Sequence, residues 1–194
     1  MIINEILTLP VNESSGYTLK GSFTSDLIRS KVWLLTELAR IAPRVGTIYV
    51  LGSWYGNLAV INKLDPTIQY KLLINVETNP EFLQASERIH DRLGIPNTEY
   101  MLKDANDLDY RQLGDDGVVV NTSLTDMQGH GWFDCIPPGT LVVLQGRDHD
   151  PGNEYHSTQE IVDRFRLTEV LYQGGLNLQD PETAYTRYMV IGIR

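Results

Sequence analysis

The stretch TIYVLGSWYGNLAVINKL, residues 47–64, decides the fold. It begins with the apolar, β-branched run at residues 48–51, which is typical of a buried strand. The chain then turns through GSWYG at residues 52–56, and apolar residues at helical spacing follow from Asn57. A strand, a glycine-bearing turn and a helix in this order place backbone N–H groups and a helix N-terminus at the carboxyl end of the strand. The turn is therefore expected to contact a polar or anionic part of a ligand.

Strands and helices alternate along most of the chain. A helix is predicted over residues 24–42, with its N-cap in Thr24-Ser25-Asp26 and Pro43 as its stop. Further helices are predicted to begin at Asn79 and at Ser157. Further strands are predicted at residues 71–76, 98–102, 117–121 and 140–145.

These strands are uninterrupted apolar runs, which indicates a mostly parallel sheet covered by helices on both faces. Two last strands are predicted near residues 168–172 and 185–193. A loop rich in Gly, Asn and Asp joins them without a helix, so this pair is expected to be antiparallel. The pattern predicts an α/β fold.

Size and composition are those of one globular domain. The chain has 194 residues, of which 42% are hydrophobic and 21% are charged. We assign residues 24–194 to this domain and residues 1–23 to an N-terminal extension. The single cysteine, Cys135, excludes an intramolecular disulfide and is predicted to be a small buried residue.

Charge and hydropathy narrow the partners. A net charge of −9 repels phosphate backbones, so nucleic acid is a less favoured partner than a small molecule or a protein. No apolar run approaches the roughly 20 residues that span a bilayer. The N-terminus does not have a basic segment followed by an apolar stretch. We expect a cytoplasmic protein without a membrane partner, of undetermined oligomeric state.

In the order and spacing of these features, residues 24–194 resemble the class I S-adenosylmethionine-dependent methyltransferases. The resemblance implies a Rossmann-like fold: a seven-stranded, mostly parallel sheet with helices on both faces and an antiparallel last strand. It also implies S-adenosylmethionine as the cofactor. The implied reaction is methyl transfer to an oxygen or nitrogen nucleophile of a small molecule or a protein.

The same resemblance assigns the turn after the first strand to the methionine part of the cofactor. The residues concerned are Gly52, Ser53, Trp54 and Gly56. Glycine allows the backbone to approach a ligand closely. The family turn usually reads Gly-x-Gly-x-Gly, and Trp54 stands at the middle glycine. Its indole either forms a wall beside the cofactor or fills the site.

Two acidic residues and one amide occupy further family positions. Glu77 ends the second strand, where the family has an acidic residue that holds the ribose hydroxyls. Asp104 follows the third strand and corresponds to a residue beside the adenine. Asn121 ends the fourth strand, where residues face both the cofactor and the transferred methyl group. A carboxylate can accept two hydroxyl hydrogen bonds, and such charge-assisted bonds are strong.

The connection after the fourth strand carries the candidate catalytic residues. Asn121, Asp126 and His130 are in the expected place for a substrate pocket, and Asp126 with His130 could form a general base pair. The alternative is that these side chains only satisfy the loop backbone. We predict no metal site, because Asp and His clusters such as the one at residues 147–156 are common in solvated loops.

Two other functions stay open at this level. The altered turn is compatible with transfer of a group other than methyl from the same cofactor. It is also compatible with a methyltransferase-like scaffold that binds no cofactor and acts as a partner-binding subunit. The stretch at residues 121–124 departs from the Asn/Asp-Pro-Pro-Tyr motif, which argues against the DNA adenine branch of the family.

Overall fold

The computed structural model describes residues 19–127, 129–149, 155–180 and 183–194. The strands are β1 (Arg44–Leu51), β2 (Gln69–Glu77), β3 (Thr98–Leu102), β4 (Val118–Asn121), β5 (Leu141–Arg147), β6 (Glu169–Gln179) and β7 (Ala184–Ile193). The helices are α1 (Leu19–Ser22), α2 (Ser25–Ile41), α3 (Asn57–Leu64), α4 (Pro80–Leu93), α5 (Gly131–Asp134) and α6 (Thr158–Phe165). Two short 3₁₀ helices, Ala105–Asp107 and Tyr110–Leu113, connect β3 to β4.

The seven strands form one sheet in the order β3-β2-β1-β4-β5-β7-β6. Strands β1 to β5 run parallel to one another, and β7 is antiparallel to both β5 and β6. The predicted fold class is therefore confirmed. Because the parallel strands end at one edge, the loops after β1 to β5 lie close together there.

The core has two layers, one on each face of the sheet. Successive residues of β1 alternate between them: Ile48 and Val50 pack with α2, α3 and α4, whereas Tyr49 and Leu51 pack with α5 and α6. This alternation is the period of a strand buried on both faces. Each large apolar side chain that is fully buried contributes about 1.5–3 kcal/mol relative to its exposed state.

Local signals set the ends of α4 as expected. The side chain of Asn79 accepts a hydrogen bond from the N–H of Glu81 at 2.9 Å, Pro80 is the first helical residue, and Gly94 ends the helix with φ of +58°. Proline fixes the backbone angle of the first turn, and glycine adopts the left-handed C-cap without strain. The helix is therefore held at both ends by its own sequence.

The prediction of a loop over the residues between the last two strands is wrong. Residues 173–179 continue β6, so β6 and β7 form a long hairpin. Tertiary contact explains the difference, since the Nε1 of Trp33 donates to the Oη of Tyr172 at 3.0 Å. A Cβ on Gly174 would meet the Tyr172 hydroxyl at 2.5 Å and the indole of Trp33 at 3.3 Å. The glycine leaves room for this contact between β6 and α2 instead of marking a turn.

Three further predictions concern Cys135, the N-terminal extension and membrane-spanning helices. Cys135, expected to be buried, is exposed at the end of α5. Of the N-terminal extension, residues 1–18 lie outside the described residues, while Leu19 and Phe23 are buried in the core beside α2. No helix within the described ranges is long and apolar enough to cross a bilayer.

Candidate functional site

A cavity of about 600 Å³ opens at the carboxyl ends of the parallel strands. Six residues that the sequence predicts for the site line it: Gly52, Ser53, Trp54, Glu77, Asp104 and Asp126. They come from the loops after β1, β2, β3 and β4. The topology therefore brings together side chains that are far apart in the chain.

Glu77 fixes the turn after β1. Its Oε2 accepts a hydrogen bond from the N–H of Trp54 at 2.9 Å, and its Oε1 accepts from the N–H groups of Thr78 and Asn79 at 2.9 and 3.1 Å. Oε1 also accepts from Thr78 Oγ1 at 3.5 Å, whereas Oε2 has, among the described residues, only the bond from Trp54. A carboxylate oxygen has roughly two acceptor positions, so about one position of Oε2 is left for a ligand. Glu77 both shapes the turn and faces the cavity.

Trp54 forms a wall of the cavity. Its ring packs against Tyr55 and Phe82, with centroid distances of 5.4 and 6.3 Å, and the cavity stays open beside it. Its φ of +53° is a left-handed value that costs a non-glycine residue about 1–2 kcal/mol. The hydrogen bond from its N–H to Glu77 offsets part of that cost.

Gly56 lies outside the cavity lining. It precedes α3 with φ of +67°, and a Cβ there would clash with Ser86 Oγ and come 2.6 Å from His90 Nε2. His90 is fully buried; its Nε2 donates to the carbonyl of Gly56 at 2.9 Å, and its Nδ1 accepts from Tyr100 Oη at 2.8 Å. Burial lowers the pKa of His90. The glycine thus admits α4 against the turn.

Asn121 is fully buried and also lies outside the lining. Its Oδ1 accepts a hydrogen bond from the N–H of Ser123 at 2.9 Å, and its Nδ2 lies 3.0 Å from the sulfur of Met127. Ser123, Met127 and Asp126 all line the cavity. Asn121 therefore holds the loop that carries these residues.

His130 and Asp126 do not share the cavity. The ring of His130 packs edge-on against Phe165 at 5.1 Å and is outside the lining, whereas Asp126 is exposed and within it. Burial and then the positive charge of Arg164 lower the pKa of His130. The general base pair of Asp126 with His130 stays a prediction.

The lining residues that were not predicted from the sequence include Lys31, Trp132, Arg147 and Arg187. Arg187 had a detectable signal, because it lies on the same face of β7 as the buried Tyr185 and Met189. Trp132 is buried at 1% exposure and is also part of the lining.

Several polar atoms at the cavity have no partner. In the described part of the chain, five buried side-chain atoms have no hydrogen bond, and three of them belong to lining residues: Ser53 Oγ, Trp132 Nε1 and Arg187 Nε. A buried polar group without a partner costs about 1–3 kcal/mol. Their concentration at one cavity indicates a polar ligand that satisfies them.

Across the residues that the structure describes, no three His, Cys, Asp or Glu side chains come together as a group that could hold a metal ion. His149 and His156 are exposed, and Asp150 lies outside the described residues.

Comparison of the fold with solved structures decides its type. NodS, an N-methyltransferase from Bradyrhizobium japonicum WM9 in complex with S-adenosyl-L-homocysteine, superposes with a TM-score of 0.66 at 12% identity, over 98% of this chain and 96% of that one. The chain has the class I methyltransferase fold. No protein-family model matches the sequence, and no curated protein matches it.

Other structures with this fold act in different settings. An rRNA methylase from Streptococcus thermophilus has a TM-score of 0.56 at 14% identity, over 89% of this chain and 99% of that one. TYW2 from M. jannaschii, in complex with AdoMet, has a TM-score of 0.58 at 11% identity, over 89% of this chain and 77% of that one. The likeness to this class I methyltransferase fold thus extends along most of the chain.

Proposed function

We propose that this protein is an S-adenosylmethionine-dependent methyltransferase that acts on an oxygen or nitrogen nucleophile of a small molecule or a protein. The observation that carries the proposal is the convergence of the Gly52–Trp54 turn, Glu77 and Asp104 on one cavity. These are the ends of three parallel strands, which is where ligands of open α/β sheets bind.

The residues present fit the cofactor. The remaining acceptor position of Glu77 suits a ribose hydroxyl, and the hydroxyl of Ser53 is buried without a partner. Asp104 accepts the N–H and the side-chain amide of Asn106 through Oδ1 at 2.8 and 2.7 Å, so its Oδ2 is left for a ligand. The assignment of Asp104 to the adenine is what the resemblance to the class I family implies for an acidic residue after β3.

When bound, S-adenosylmethionine supplies a methyl group that its sulfonium makes electrophilic. The protein aligns the acceptor with that group and keeps water out, which is where most of the rate gain in such a displacement comes from. Asp126 is the proposed base when the acceptor must lose a proton, because it lines the cavity. Asn121 positions the loop of Asp126, and His130 stays a candidate that would need this loop to rearrange.

Calorimetric titration with S-adenosylmethionine and S-adenosylhomocysteine tests the proposal. Wild-type protein is expected to bind both, and Glu77→Ala to bind at least about tenfold more weakly, since a hydrogen bond to a charged group contributes about 1.5–3 kcal/mol. Glu99→Ala is the matched control, because Glu99 is an exposed residue of β3 outside the lining. Urea denaturation verifies that both variants fold.

The other outcomes separate the alternatives. If folded wild-type protein binds neither compound, the methyltransferase proposal fails and the partner-binding scaffold takes its place. If both bind, mass analysis of products formed with candidate acceptors distinguishes methyl transfer from transfer of another group. Equal affinity in Glu77→Ala and wild type would remove Glu77 from the site.

A further inference from the structure

Three cationic side chains meet at the end of the cavity next to β5 and β7. Arg147 and Arg187 are directly opposite each other on these antiparallel strands, and Lys31 reaches the same cavity from α2. Like charges directly opposite across a strand pair destabilise a sheet. This arrangement costs folding free energy, and an anion between the two strands would offset that cost.

Burial makes the cost larger. Lys31 and Arg187 are each only 5% exposed, and burying a charge costs several kcal/mol unless it is paired. Burial lowers the pKa of both groups, and the charge of Arg187 lowers the pKa of Lys31 further. Asp126 is a lining carboxylate whose negative charge raises the pKa of both Lys31 and Arg187. It is exposed, so solvent weakens its effect on them.

The guanidinium of Arg187 has an unused donor. Its Nη1 donates to the carbonyl of Thr122 at 3.3 Å, while its Nε is buried with no partner. The ring of Tyr185 lies 5.9 Å from its Cζ, and the Tyr185 hydroxyl is hydrogen-bonded to the guanidinium and donates to Asp26 at 2.6 Å. A planar guanidinium held in this way is suited to an oxyanion, which it can bind through two parallel N–H groups.

The cavity is polar along its length. Glu77 and Asp104 are at the end next to β2 and β3 together with Lys103, and the other lining cations, Lys31, Arg147 and Arg187, are at the end next to β5 and β7. The ribose and the adenine of the cofactor are assigned to the first of these ends. We propose that the methyl acceptor carries an oxyanion, a carboxylate or a phosphate, that binds Arg187 with Arg147 and Lys31. This inference rests on the proposed methyltransferase function.

The cofactor has a carboxylate of its own, and a comparison of two cofactor fragments distinguishes the sources. S-adenosylhomocysteine carries the amino-acid group, whereas 5′-methylthioadenosine does not. If the cations bound that carboxylate, Arg187→Gln would weaken the binding of S-adenosylhomocysteine and leave the affinity for 5′-methylthioadenosine unchanged. If they bind the acceptor, both affinities should stay within about threefold of wild type.

The test measures binding of inorganic phosphate and of acetate to full-length protein, with and without saturating S-adenosylhomocysteine. The wild type is expected to bind at least one of them, and Arg187→Gln to lose about tenfold or more of that affinity. Arg187→Lys should fall between the two, because it keeps the charge and loses the planar donor pair. Arg40→Gln, at an exposed residue of α2 outside the lining, is the control.

Each outcome decides the inference. Anion binding that is unchanged in Arg187→Gln, or absent from wild type, overturns it, as does selective loss of S-adenosylhomocysteine. If Arg187→Gln does not fold, Arg147→Gln at the half-buried opposite position gives the same comparison. Failure of wild type to bind S-adenosylhomocysteine defeats the proposed function, and the anion titration without it then reports separately on the cationic site.

Discussion

Replacing Gly56 with alanine tests how closely the turn after β1 packs against α4. The φ of +67° costs an alanine about 1–2 kcal/mol. Its Cβ would clash with Ser86 Oγ and come 2.6 Å from His90, and overpacking of this kind adds about 1–3 kcal/mol. The matched control is Gly94→Ala, at φ of +58° with no atom within 4 Å of the new Cβ. Gly94→Ala therefore has the cost of the left-handed backbone angle without the cost of overpacking.

Urea denaturation gives both changes in the free energy of unfolding. We expect a loss of about 2–5 kcal/mol for Gly56→Ala and about 1–2 kcal/mol for Gly94→Ala, with unchanged dependence on urea. The effect of losing a glycine from the unfolded chain is common to both and cancels in the difference. Equal losses would refute the close packing. A stable Gly56→Ala protein that no longer bound S-adenosylhomocysteine would support the cofactor-binding role predicted for Gly56.

Three further substitutions have expected outcomes. Burial lowers the folded-state pKa of Lys31, so below the ordinary pKa of 10.5 the unfolded chain binds more protons and the free energy of unfolding rises with pH. Lys31→Met should flatten this rise in urea denaturation, and an unchanged slope would contradict the buried charge. Burial also lowers the pKa of His90, so wild type should lose stability as the pH falls below 6.5. His90→Gln should lose less stability over the same range, and equal acid sensitivity of the two proteins would contradict the lowered pKa of His90. Asn79→Ala should cost about 1 kcal/mol in thermal denaturation through loss of the α4 N-cap, and no change would show that the cap contributes nothing.

The fold could be predicted where the local pattern and the tertiary environment agree. The run at residues 48–51 is apolar throughout because β1 is covered on both faces. The second half of β6 has no such pattern, because it is the outer strand of the sheet and most of its side chains are exposed. Its structure depends on pairing with β7, which no local signal encodes.

The candidate site divides in the same way. Glu77 and Asp104 could be placed because the ends of parallel strands meet at one edge of the sheet. Lys31 and Arg187 come from α2 and β7, and only the folded chain brings them together. His130 was expected in the pocket, but packing against Phe165 directs its ring elsewhere, a contact that its position after β4 does not indicate.

The central claim is that the cavity binds the cofactor, and the three tryptophans of the chain report on it directly. Trp54 and Trp132 line the cavity. Trp33, on α2, is outside the lining and donates its indole N–H to the hydroxyl of Tyr172. The measurement is a ¹H–¹⁵N spectrum of the indole N–H groups, assigned through Trp→Phe variants, during titration with S-adenosylhomocysteine. The account predicts that the signals of Trp54 and Trp132 shift while that of Trp33 stays in place. Unmoved Trp54 and Trp132 signals at saturating ligand would contradict it.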